Sequence, residues 1–149
     1  MNDLHGYYLE DLHVGMSAVY SKTITDADIL LFSGVSGDTN PLHLNEDFAA
    51  ATAFKSRIAH GMLSASLLST VFGTKLPGPG CVYLSQNLRF KAPVRSGDTV
   101  LAKATVAEIQ TDRRKVTFDC VCTVGETVVI EGEATIMVPR RPVTANAAE

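Results

Sequence analysis

Hydrophobic positions along this chain follow two different rhythms. From residue 81 onward apolar and polar residues alternate with a period of two, as strands with one buried face do. In 81–94 the apolar set is Val82, Leu84, Leu88, Phe90, Ala92 and Val94, with Tyr83, Ser85, Asn87, Arg89 and Lys91 on the other face. Ser96-Gly97-Asp98 predicts a turn into 99–110, where Val100, Ala102, Ala104 and Val106 alternate. The pattern repeats in 114–124 through Val116, Phe118, Cys120, Cys122 and Val124. Gly125-Glu126 then predicts a turn into 127–138, whose Val128, Ile130, Ala134, Ile136 and Val138 share a face. Four successive strands read as a meander with one face that needs cover.

The first half supplies the cover. Within 62–72, Met62, Leu63, Ala65, Leu67, Leu68, Val71 and Phe72 leave little polar surface, so the pattern predicts a helix buried on all sides. It begins after His60-Gly61, and Gly73 is its expected C-cap. A strand at 17–25 and a short helix at 27–35, capped by Thr25 or Asp26, precede it. The expected class is α+β, one antiparallel sheet curled around one long buried helix. A helix wrapped on one side only leaves an edge, which predicts a homodimer or a higher homo-oligomer.

Composition narrows the function classes. A length of 149 residues with 46% hydrophobic and 19% charged positions, and a mean hydropathy of +0.13, describes one compact domain and not a disordered chain. Thirteen Lys+Arg against sixteen Asp+Glu leave a net charge of −3, with no basic field for nucleic acid or an anionic membrane. The longest uncharged run, 58–74, is short for a bilayer and is interrupted by His60, Gly61, Ser64, Ser66 and Ser69, so no membrane span is expected. Residues 1–10 lack a basic flank leading into an apolar stretch and do not read as a secretory signal. Cys81, Cys120 and Cys122 match no zinc spacing and read as reduced, packed thiols of a cytoplasmic protein. Residues 1–13 form an extension, 14–138 the domain, and 139–149, opened by Pro139-Arg140-Arg141-Pro142, a flexible tail.

The densest polar stretch in the apolar first half is Ser36-Gly37-Asp38-Thr39-Asn40-Pro41-Leu42-His43. Gly34, Gly37 and Pro41 rule out a continuous helix here, so the segment is a tight turn. Taken alone it is an Asx-turn at Asp38 or Asn40 with a solvent-facing His43. In context it is a rigid loop bearing an acid/base pair, just upstream of a helix whose start at Gly61 offers free N–H groups to a carbonyl oxygen gaining charge.

The run Phe32-Ser-Gly-Val-Ser-Gly-Asp38-Thr-Asn40-Pro41-Leu-His43 resembles the hydratase-2 motif of the MaoC-like dehydratases, the (R)-specific enoyl-CoA hydratases. The likeness continues through Ala53-Phe54, Arg57-Ile58-Ala59-His60-Gly61-Met62 and Leu88-Arg89-Phe90-Lys91-Ala92-Pro93-Val94, and covers about Val14 to Val138. It implies the hot-dog fold, a dimer with acyl pockets at the subunit interface, an acyl-CoA thioester as substrate, and neither metal nor cofactor. Carried onto this chain, the acid/base pair falls on Asp38 and His43, with Asn40 fixing their geometry and the Gly61 N–H holding the thioester carbonyl. The implied reaction is reversible syn addition of water to a trans-2-enoyl-CoA, giving the (R)-3-hydroxyacyl-CoA.

Around that site, Met62 and Ser69 are expected at the acyl pocket, and Arg89 and Lys91 are candidates for CoA phosphates against the plainer reading of a solvated face. Ser64 has two readings, back-bonding to the preceding turn, which is preferred, or lining the site. His60 reads as a hydrogen-bonded structural residue, and His5 and His13 as solvent-facing. Three rival readings stand: a (3R)-hydroxyacyl-ACP dehydratase, a hot-dog acyl-thioesterase, and a non-catalytic acyl-binding subunit.

Overall fold

A computed structural model of the chain describes residues 2–143. Its elements are β1 (Ser17–Thr23), α1 (Asp26–Ser36), α2 (Pro41–Leu44), α3 (Glu46–Ala50), α4 (Gly61–Thr74), β2 (Val82–Phe90), β3 (Thr99–Gln110), β4 (Lys115–Val124) and β5 (Thr127–Met137). The five strands form one antiparallel sheet in the order β1-β3-β4-β5-β2, the expected α+β architecture.

The centre of the sheet follows the period-two pattern closely. Val100, Ala102, Ala104 and Val106 of β3 and Val116, Phe118, Cys120 and Cys122 of β4 are all buried on the face that meets α4. Phe72 of α4 packs edge-on against Phe118 at 5.0 Å and Tyr83 at 5.2 Å, joining helix to sheet. Burial pushes the Cys120 and Cys122 thiols up to about 11 and about 12.

The departures sit at bulges and edges. The four strands are not a simple meander: only β3, β4 and β5 follow one another, while β2 crosses to pair with β5 at the far edge. The turn at Gly97 therefore leads across the domain and does not close a hairpin. With a bulge between Tyr83 and Ser85, Val82 and Leu84 are exposed, and Tyr83, itself 38% exposed, sets its ring against Phe72. A second irregularity, between Cys122 and Thr123 opposite Ile130 and Val128, buries Val129 and leaves Val128 exposed.

Helix α4 also differs from the expectation. Leu63, Leu67, Leu68, Val71 and Phe72 are buried, whereas Met62, Ser66, Ser69 and Gly73 form an exposed stripe. The helix runs past Gly73 and is capped at Lys75. At the amino end, Leu9 and Leu12 are buried in the core, and His5 is half-buried in a stack on Tyr8 at 4.1 Å, not free in solvent. Pro139 to Arg141, expected to open a loose tail, are held. The Pro139 carbonyl accepts from Leu9 N–H at 2.9 Å, and Arg141 lies over the Tyr8 ring at 4.8 Å while pairing with Asp11. The rest of the tail, 144–149, lies outside the described residues.

Candidate active site

The loop between α1 and α2 is built by its own side chains. Thr25 caps α1 through a capping box with Asp28, and the helix ends at Gly37, which takes φ 78°, a left-handed conformation suited to glycine. Asp38 Oδ1 accepts from Asn40 N–H at 3.2 Å, and Asn40 Oδ1 accepts from Leu42 N–H at 3.0 Å as the N-cap of α2, with Pro41 as its first residue. Both Asx turns suggested by the sequence are thus present, and their effect is to fix the start of the one-turn helix that carries His43.

His43 does not face solvent. It is 7% exposed, and its Nδ1–H donates to the Ile58 carbonyl at 2.8 Å. A carbonyl only accepts, so in the neutral ring the free lone pair is on Nε2. That atom lies 4.0 Å from Asp38 Oδ2, whose side chain is about half exposed. His60 stacks on His43 at 3.8 Å between centroids and is itself 2% exposed. Its Nε2–H is shared between the Asp38 carbonyl at 2.9 Å and Ser33 Oγ at 3.2 Å, so it ties the acid-bearing loop to the start of α4. Ligand-type atoms of Asp38, His43 and His60 lie within 4.8 Å of one another, and with Nε2–H of His60 given to the Asp38 carbonyl its lone pair is on Nδ1, which is buried without a partner among the described residues.

A cavity of about 430 Å³ opens beside this pair. Asp38, His43, His60, Gly61, Met62 and Ser64 line it on one side, and Phe90, Lys91 and Val94 on the other. The amino end of α4 points into it. Leu63 and Ser64 N–H groups turn back to the His60 carbonyl, while Gly61 and Met62 precede the first intrahelical acceptors. Gly61 is close to Phe90: a Cβ built there would stand 2.6 Å from the ring.

Asp38, His43, Gly61 and Met62 line the same cavity, and Asn40 lies on the loop that joins the first two. Ser69 does not join them; it lies on the exposed stripe of α4. Ser64 takes the opposite course, lining the cavity with no back-bond from its Oγ among the described residues. Lys91 borders the cavity and Arg89 does not, and both face Glu131, at 3.3 Å and 3.8 Å. Arg57, the first residue of the Arg57–Met62 run, clamps the region by pairing with Asp26 of α1 and Glu46 of α3, each at 3.1 Å.

Residues 13–130 match the model of the MaoC-like domain. The chain belongs to this family. Among curated relatives it is 58% identical over 140 residues to an (R)-specific enoyl-CoA hydratase of Rhodospirillum rubrum, covering 94% of this chain and 97% of that one. It is 50% identical over 139 residues to a 3-hydroxybutyryl-CoA dehydratase of Methylorubrum extorquens, covering 93% and 88%. Among solved structures, an unliganded R-hydratase from Pseudomonas aeruginosa superposes with a TM-score of 0.86 at 41% identity, covering 97% of this chain and 93% of that one. The sheet and helix described above are the hot-dog fold of the MaoC-like hydratases.

Proposed function

We propose that this MaoC-like protein is an (R)-specific enoyl-CoA hydratase, a hydro-lyase that adds water reversibly to a trans-2-enoyl-CoA. The observation that carries the reading is the 4.0 Å separation of Asp38 Oδ2 and His43 Nε2, two acceptors turned toward one cavity next to the start of α4. One water donating two hydrogen bonds of about 2.8 Å reaches acceptors roughly 4.4 Å apart. The pair is spaced to hold such a water by both protons and to aim its oxygen lone pair outward. The relatives named as an enoyl-CoA hydratase and a hydroxybutyryl-CoA dehydratase support the same chemistry run in either direction.

In this reading the substrate lies with Cβ above the held water and its thioester carbonyl at the N–H of Gly61. As the water oxygen bonds to Cβ, one of the pair takes its proton, and charge moves to the carbonyl oxygen, where the N–H and the helix dipole oppose it. That same proton is then delivered to Cα from the same side, which returns both groups to their starting state. Both groups approach one face of the double bond, so addition is syn, and the (R) configuration at Cβ, which depends on the face presented, is supported by the relative named as an (R)-specific enoyl-CoA hydratase. Asn40 holds the loop, Met62 contributes to the acyl wall, and Lys91 at the cavity rim is the cation placed to meet a CoA phosphate.

The unit at work is a homodimer. Edge strand β2 shows Val82, Leu84 and Phe90 to solvent, and Met62 and Ser69 lie on the uncovered stripe of α4, so a second copy against this side would bury both and bring Ser69 to the acyl chain.

The test is loss of enoyl-thioester ultraviolet absorbance, run with CoA and with ACP substrates. Asp38→Asn and His43→Gln are each expected to reduce turnover by at least about 10²-fold while leaving the fold intact. Near-normal hydration by either variant would overturn the assignment, release of free thiol would point to a thioesterase, and a strong preference for ACP to a dehydratase of carrier-bound chains.

A further inference from the structure

Helix α4 carries a hydroxyl that the mechanism above does not use. Ser64 is 1% exposed, and its Oγ has no hydrogen-bond partner among the described residues. Four other helical hydroxyls of this chain have partners. Ser66 donates to the Leu63 carbonyl, Thr74 to that of Thr70 and Ser36 to that of Phe32, each at 2.6 Å, and Ser33 accepts from the His60 ring. Back-bonding to the preceding turn is the ordinary resort of a helical serine, and Ser64 does not use it.

A buried hydroxyl left unpaired opposes folding, so it persists where something outside the fold completes it. Ser64 belongs to the cavity wall with Gly61 and His60, its Oγ covered by its neighbours, and the other buried side-chain polar atom without a partner among the described residues is Nδ1 of His60, four positions back. Ser64 stands three residues into α4 from Gly61, about 4.5 Å along the axis, and helical side chains lean back toward the amino end. Its hydroxyl therefore runs along the turn that presents the Gly61 N–H.

We propose that Ser64 is a catalytic residue, its Oγ–H donating to the thioester carbonyl oxygen beside the Gly61 N–H to complete a two-donor oxyanion site. The proposal rests on the reading that an enoyl thioester fills this cavity. No bond forms or breaks at Ser64, and its proton remains on Oγ. The hydrogen bond strengthens as charge builds on the carbonyl oxygen during attack at Cβ, so its loss falls on kcat more than on KM.

The experiment uses a conjugated dienoyl-CoA, whose absorption moves to longer wavelength when donors polarise its carbonyl. Bound to the full-length Asp38→Asn enzyme, it is expected to show a red shift, and a clearly smaller one with Asp38→Asn/Ser64→Ala. In the otherwise unaltered enzyme Ser64→Ala is expected to lower kcat about 10- to 100-fold with KM within about threefold. The melting midpoint should not fall, because the variant removes an unpaired group. Equal red shifts in the two backgrounds, or a lowered midpoint with kcat unchanged, would overturn the proposal and make the hydroxyl a structural one. No red shift from ligand bound to Asp38→Asn would overturn the functional reading itself, and this proposal with it.

Discussion

Replacing Gly61 with alanine separates the chemistry at the start of α4 from its structural role. The added Cβ would lie 2.6, 2.7 and 3.3 Å from Cε1, Cδ1 and Cζ of Phe90. Carbon atoms rest at about 3.5–4.0 Å, so the ring must retreat by roughly 1 Å. Within a single subunit Phe90 is 54% exposed, which leaves its ring room to shift away from Gly61. At about 1.5–3 kcal/mol for burying a whole side chain, giving up part of the remaining half costs about 1 kcal/mol or less. Alanine in place of glycine in a helix returns up to about 1 kcal/mol. The two nearly cancel, and the melting midpoint should move by no more than about 2–4 °C. Turnover should respond on another scale, because a methyl group beside the N–H displaces the thioester oxygen from its donor, a loss of about 10²–10³ in kcat/KM. The assay is enoyl-thioester absorbance against a melting curve. The double variant Gly61→Ala/Phe90→Ala removes the clash and should remain slow. Unchanged kinetics in the single variant would move the oxyanion site elsewhere, and full rescue by the double variant would reduce the effect to ring displacement.

Two further outcomes test the frame around the site. Thr25→Ala removes the hydroxyl that accepts from Asp28 N–H at the head of α1 and should cost about 1 kcal/mol in a denaturant titration at any pH. Asp28→Asn should behave differently. The Thr25 backbone N–H, with smaller help from Lys22, holds the Asp28 carboxyl below its ordinary 3.8, so its stabilisation is present above that value and is lost as pH falls through the lower folded one. The variant and the parent should therefore differ at neutral pH and converge in acid; a constant gap would contradict the capping role. Because burial holds Cys120 and Cys122 near 11 and 12, neither should react with a thiol reagent at pH 8 in the native protein, and both should react on denaturation. Rapid native labelling of either would show that the sheet opens easily.

What could be read in the sequence, and what could not, divides by how local the cause is. Strands β3 and β4 were legible because an unbroken alternation of Ala, Val, Phe and Cys meets a single helix. The exposure of Val82 and Leu84 in β2 and of Val128 in β5 was not, since a bulge breaks the alternation locally and Leu84 and Val129 look like ordinary strand residues. The place of β2 beside β5 was hidden for another reason. A turn signal at Gly97 marks where the chain bends and carries no information on which strand it joins next. At the site, the Asx turns of Asp38 and Asn40 were visible locally, whereas the burial of His43 comes from the Ile58 carbonyl and the His60 ring, 15 and 17 residues further along the chain (58 − 43 and 60 − 43). Ser64 left both a back-bond and a place at the site open, because helical spacing permits either and the choice depends on the packing around its hydroxyl.

The central claim is that Asp38 and His43 direct one water to one face of an enoyl thioester, and product stereochemistry tests it most directly. Incubating the protein with crotonyl-CoA and coupling the product to an (R)-specific 3-hydroxyacyl-CoA dehydrogenase should consume the enoyl absorbance and yield stoichiometric reduced nicotinamide, with none from an (S)-specific coupling enzyme. Formation of the (S) product, or of both enantiomers in comparable amounts, would contradict the account.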